Sequence, residues 1–151
     1  MPVISDSELN PAAVEIGNFL AHSPAAVWRA LTDPDLLELW LMRSVGFTAS
    51  VGTHFIFVVP THPTDEIACE VLTCRPPEHL LFTWVDLRAA HPARWLVDWT
   101  LAPQGRGTRL LLTHTGFNLN DRRQKMARNA LERGWKSALT RLREVLDHTE
   151  S

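Results

Sequence analysis

The stretch "RWLVDWTLAPQGRGTRLLLTHTGF" runs from Arg94 to Phe117. Trp95, Val97, Trp99 and Leu101 alternate with more polar neighbours before the turn, and Thr108, Leu110, Leu112 and His114 share one parity after it. An alternation of period two on both sides of "PQGRG" predicts a β-hairpin with its apolar faces on one side. "GRG" at 105–107 is its turn, because the strand–glycine–helix setting of a dinucleotide loop is missing. His114 is then a titratable group on the inward face, near the end of its strand.

The same period extends upstream. "VEIGNFL" (14–20) reads as a first strand, interrupted at Asn18. "GFTAS" (46–50) and "THFIFVVP" (53–60) read as a hairpin split at Val51-Gly52, with Phe55 and Phe57 on one face. "DEIACEVLTC" (65–74) places Ile67, Cys69 and Val71 together and stops at "RPP", since proline cannot donate within a ladder. "HLLFTWVDL" (79–87) places Leu80, Phe82 and Trp84 together. Between the first strand and these lie two helix starts. Ser23 precedes Pro24 and Asp33 precedes Pro34, each a cap followed by a proline at the first helical position. Downstream the period changes. Ala127, Leu131, Trp135, Ala138, Leu142 and Val145 recur every three or four residues, which predicts one amphipathic helix over 121–148, capped at Asn118 or Asn120 and about 40 Å long.

These elements predict an α+β fold. Its antiparallel sheet has about six to seven strands and curves around a long C-terminal helix, with two short helices after the first strand. Residues 1–13 read as a lead-in and 14–148 as a single domain.

Composition narrows the function. The 151 residues carry a formal charge of −2, which calls for neither nucleic acid nor an anionic surface. Residues 121–148 are locally basic, a pattern that reads as a solvated outer face. No run of about 18 apolar residues predicts a membrane span, and "MPVISDSELN" lacks the features of a signal peptide, so a soluble, cytoplasmic protein is expected. Six Trp and six Phe stand beside no Tyr, which suits a core or a greasy pocket.

The sequence has no nucleophile elbow, phosphate loop or zinc-protease helix. No cofactor or catalytic residue is expected. Seven scattered histidines predict no metal site, and Cys69 and Cys74, five apart on one strand, should face opposite ways unless a bulge intervenes. Cys69 reads as a small hydrophobe. Acid–base work by His114 would need an inward carboxylate, and Asp98 has outward parity.

The words "SPAAVWRALTDPDLLELW", "VGTHF", "RPPEHLLFTW", "VDWTLAPQGRGTRLLLTHTGF" and "RGWKSALTRLREVL", in this order, resemble the activator of heat-shock-protein-90 ATPase homologue family. That family belongs to the START-like superfamily with the helix-grip fold. Departures at His22, Cys69 and "GTHF" fall near the sheet, where they would reshape a cavity. The resemblance implies a space between sheet and helix for a hydrophobic small molecule. Trp40, Phe55, Phe57, Cys69, Phe82, Trp84, Trp95, Trp99, His114 and Met126 are the expected ligand-binding residues, with Trp40 and Met126 closing the mouth. It also implies two alternatives: a chaperone accessory with a chaperone partner, and a cyclase or aromatase acting on a polyketone. His114 is expected at the cavity rim as a polar anchor, or in the core edge bonded to a carbonyl or hydroxyl.

Overall fold

The computed structural model describes residues 12–149; most of the expected lead-in lies outside them. Seven strands form one antiparallel sheet: β1 (Val14–Leu20), β2 (Arg43–Val45), β3 (His54–Val59), β4 (Asp65–Arg75), β5 (His79–Asp86), β6 (Arg94–Gln104) and β7 (Gly107–Thr115). The order across the sheet is β1-β7-β6-β5-β4-β3-β2, so the first strand lies beside the last. Two short helices, α1 (Pro24–Thr32) and α2 (Pro34–Trp40), follow β1, and α3 (Arg122–Thr149) closes the chain.

The β6–β7 hairpin forms as its alternation dictates. Val97 opposes His114, Trp99 opposes Leu112 and Leu101 opposes Leu110, and all six are buried. Gly105 turns the chain with φ +57°. Gly107 has a different reason to be glycine: a Cβ there would run into the Leu20 carbonyl and the Phe19 ring of β1. Asp98 points away from the core and bonds His79 across β5 and β6 at 2.8 Å.

The helix starts also behave as expected. The Ser23 hydroxyl accepts from the Ala26 amide at 3.2 Å. The Asp33 carboxylate accepts from the Asp35 amide at 2.9 Å, while its own amide donates to the Arg29 carbonyl. One residue therefore ends α1 and begins α2. Trp40 fixes α2 to α1 by donating its indole N–H to the Ala30 carbonyl at 2.8 Å. Asp121, rather than Asn118 or Asn120, caps α3, accepting from the Arg123 amide at 2.9 Å.

Besides the α3 cap, three local expectations need correction. β1 is continuous through Asn18, which is half-buried and opposite Leu110. The strand before β3 is Arg43–Val45, while residues 46–50 form no strand. Gly46 at φ +83° turns the chain out of β2, and the Phe47 ring packs edge-on against Phe55 in the core instead of alternating along an edge. A bulge in β4 shifts the register between Val71, opposite Phe82, and Thr73, opposite Leu81. The extra residue, Leu72, returns Cys74 to the inner face opposite Leu80. Cys69 and Cys74 therefore share a face, both as free thiols.

The core lies between the concave sheet and the helices. Phe55, Phe82, Phe57, Trp84, Trp135, Trp99 and Trp40 follow one another with ring centroids 5.5–6.2 Å apart, edge-to-face or tilted. No helix among the described residues is long and apolar enough to cross a membrane.

Candidate functional site

The 28 residues of α3 are buried unevenly. Trp135, Ala138, Leu139, Leu142 and Leu146 are buried, and every one lies from Trp135, at the helix midpoint, onward. That half is also tied down by polar contacts. The Arg141 guanidinium donates through Nε to the Trp40 carbonyl at 3.1 Å, Arg143 donates to the Phe19 carbonyl at 3.1 Å, and Asp147 meets His22 at 2.8 Å.

Between Arg122 and Gly134 no residue is buried. The positions turned toward the sheet carry Ala127, Ala130, Leu131 and Gly134. A Cβ built on Gly134 would find no atom within 4 Å. Small side chains on the helix leave a gap over the sheet here, a groove of about 330 Å³. Its floor is Trp84, Trp95 and Trp135, with Ile67 and Val59 from β4 and β3. Leu41 and Met42 wall the end nearest α2. A smaller recess of about 180 Å³ continues past Trp95 beneath Ala89–Ala93, the loop joining β5 and β6. Gln124 stands there, its Oε1 accepting from the Trp95 indole at 3.3 Å and from the Asn118 amide at 2.8 Å.

Three charged side chains reach the groove: Asp86, Arg88 and Arg141. Arg88 clasps Asp86 through Nε at 3.0 Å and Nη2 at 2.7 Å. Burial works against the Asp86 carboxylate, but the bonds and charge of Arg88 outweigh it and lower its pKa.

Of the ten residues expected to bind a ligand, Trp84 and Trp95 line this groove. Trp40, Phe55, Phe57, Cys69, Phe82, Trp99 and His114 are buried behind it as packed core. Met126 is 64% exposed and stands outside the lining, and Trp40 packs at 5.9 Å against Trp99. The opening therefore lies along the N-terminal half of α3 and the β5–β6 loop, not between Trp40 and Met126. Leu131, Gly134, Ala138 and Arg141 were not expected in the lining. The sequence signal for Gly134 and Ala138 was small residues at helical spacing, including the sole glycine of the helix; no such signal marked Leu131 or Arg141.

His114 is neither at a rim nor bonded to a carbonyl or hydroxyl. It is 0% exposed and its Nδ1 accepts from the Trp135 indole N–H at 3.0 Å. That bond places the ring proton on Nε2, which has no hydrogen-bond partner. The rings of Trp84, Trp95, Phe117 and Trp135 surround it at 4.4–6.1 Å from one another or from its own centroid. Burial drives its pKa from 6.5 down to about 3, so the ring is neutral near pH 7. A neutral imidazole with no carboxylate beside it orients Trp135, the indole that floors the groove. Burial likewise raises the Cys69 thiol, which keeps it protonated and unreactive. Among the described residues no cluster of three or more His, Cys, Asp or Glu is placed to hold a metal.

Comparison with known proteins agrees with this architecture. The family model "Activator of Hsp90 ATPase homolog 1-like protein" matches residues 21–147. The solved structure of MLL2253 from Mesorhizobium loti is 32% identical, with a TM-score of 0.81 over 91% of this chain and 98% of that one. CV1439 from Chromobacterium violaceum is 22% identical, with a TM-score of 0.76 over 90% and 97%. CalU16 from Micromonospora echinospora is 23% identical, with a TM-score of 0.73 over 89% of this chain and 75% of that one. No curated protein matches the chain. The match over residues 21–147, together with the seven-stranded sheet and its long closing helix, assigns the chain to the Activator of Hsp90 ATPase homolog 1-like family of the START-like superfamily.

Proposed function

We propose that the chain is a small-molecule binding module whose groove takes an apolar or aromatic metabolite. The observation that carries this is the indole-floored space of about 330 Å³ opposite the small residues of α3. That volume falls at the lower end of the range typical of ligand sites, and a few polar groups among apolar walls are the usual composition. Gly134 adds support. Glycine within an exposed helix costs about 1 kcal/mol relative to alanine, and here no neighbour requires it. A cost retained where there is room for a larger residue fits a space kept open. The chaperone-accessory and cyclase readings rest on the family alone. Acid–base chemistry has little support in the groove, where Asp86 is neutralised by Arg88 and His114 is sealed behind the indoles.

The test is a titration with 2-naphthalenemethanol, a neutral bicyclic aromatic, followed by tryptophan fluorescence. Saturable quenching at micromolar concentration is expected, because three indoles line the groove. Gly134→Leu should fill the space and abolish the quenching while the far-ultraviolet circular dichroism is unchanged. Absence of saturation in the wild type, or equal quenching in Gly134→Leu, would contradict the reading.

A further inference from the structure

We infer that the groove selects an elongated anion, an aryl or alkyl carboxylate, with its carboxylate at Arg141 and its apolar body on the indoles; this rests on the groove being a ligand site. The inference comes from a count of charges. Asp86 and Arg88 cancel, since both carboxylate oxygens accept from the Arg88 side chain and Oδ1 also accepts from its amide. Arg141 is left as the groove's uncompensated charge: among the described residues it meets no carboxylate.

Arg141 is also held in place. Nε donates to the Trp40 carbonyl at 3.1 Å and Nη1 donates to the Ser137 hydroxyl at 3.0 Å. A guanidinium has five N–H donors, so these two bonds fix its plane and leave the remaining donors for a second partner. A planar fork with free donors matches a carboxylate, and an Arg already ordered loses less freedom on binding one.

Position supplies the length. Arg141 stands beside Leu41 and Met42 at one end of the groove, while Ala127 and Trp95 mark the other. Ala127 to Arg141 spans about 21 Å of helix at 1.5 Å per residue. One end is cationic, the middle is Leu131, Gly134 and Trp135, and the far end is aromatic with its only charges paired. An amphiphile with one terminal anion matches that order.

The experiment compares 2-naphthoate with 2-naphthalenemethanol, which share a ring system and differ in charge. Wild-type protein should bind the naphthoate at least tenfold more tightly, and raising the salt from 20 to 500 mM should narrow the gap. Arg141→Gln should remove the preference by weakening the naphthoate at least tenfold more than the alcohol, while Arg141→Lys should retain part of it. Equal binding of the two probes by the wild type overturns the inference and leaves the groove reading standing. Failure of both probes overturns the groove reading itself. If Arg141→Gln does not fold, because its bond to the Trp40 carbonyl is lost, the wild-type comparison and its salt dependence still decide.

Discussion

The two halves of α3 share one helix and one sheet yet do opposite things. From Trp135 onward the helix buries five side chains and bonds back to β1, α2 and the β1–α1 loop. From Arg122 to Gly134 it buries none and is held by Gln124 at its start and by the Arg128 bond to the Ala13 carbonyl. Backbone geometry does not separate them. Side-chain volume does: Trp and Leu fill the gap to the sheet in one half, and Ala and Gly leave it open in the other. The first half secures the fold and the second makes room, so stability and binding are assigned to different turns of the same element.

The contrast is most exposed to a pair of truncations. Leu142 is fully buried, so Leu142→Ala should cost about 3 kcal/mol, within the range for a buried leucine that leaves a cavity. Leu131 is only partly buried at the groove, and Leu131→Ala should cost about 1 kcal/mol or less. Urea denaturation of both variants measures the difference. Equal losses would erase the distinction between the halves.

A second effect comes from the residue behind the groove. His114 has its folded pKa lowered from 6.5 to about 3, so below pH 6.5 the unfolded chain binds a proton that the folded chain refuses. The contribution is fully present above pH 6.5 and declines as the pH falls toward 3, at about 1.4 kcal/mol per unit. Urea midpoints between pH 7.5 and 5 should fall for the wild type more steeply than for His114→Gln. Parallel curves would mean that His114 charges freely in the folded protein.

The smallest change should be a gain. Gly134→Ala restores helix propensity at a position with nothing in its way and should stabilise by about 0.5–1 kcal/mol. It would show as a thermal midpoint raised by a few degrees, and a lowered midpoint would mean that the helix needs glycine there for its packing.

The sequence made much of this fold legible because strand parity and helix caps are local signals. The β6–β7 hairpin, the Ser23-Pro24 and Asp33-Pro34 starts and the outward turn of Asp98 all follow from neighbours in the chain. What escaped was non-local. Leu72 is inserted into β4 without a glycine or proline to announce it, so the inward return of Cys74 could not be read from spacing. Phe47 has the hydrophobicity of a strand residue but is drawn into the core by Phe55. The extent of the groove was hidden for a similar reason. Parity identified Trp84 and Trp95 as inward-facing, but whether an inward residue meets helix or empty space depends on volumes summed across two distant elements. Ala130 and Gly134 opposite the indoles decide that.

The division of α3 is tested most directly by hydrogen–deuterium exchange, read along the helix with and without saturating 2-naphthoate. Without ligand, amides in residues 126–134 should exchange faster than those in 138–146, since local opening follows the number of buried contacts. Addition of ligand should slow exchange in 126–134 and in the β5–β6 loop and leave 138–146 as it was. Uniform exchange along the helix, or protection spread evenly over both halves, would contradict the account.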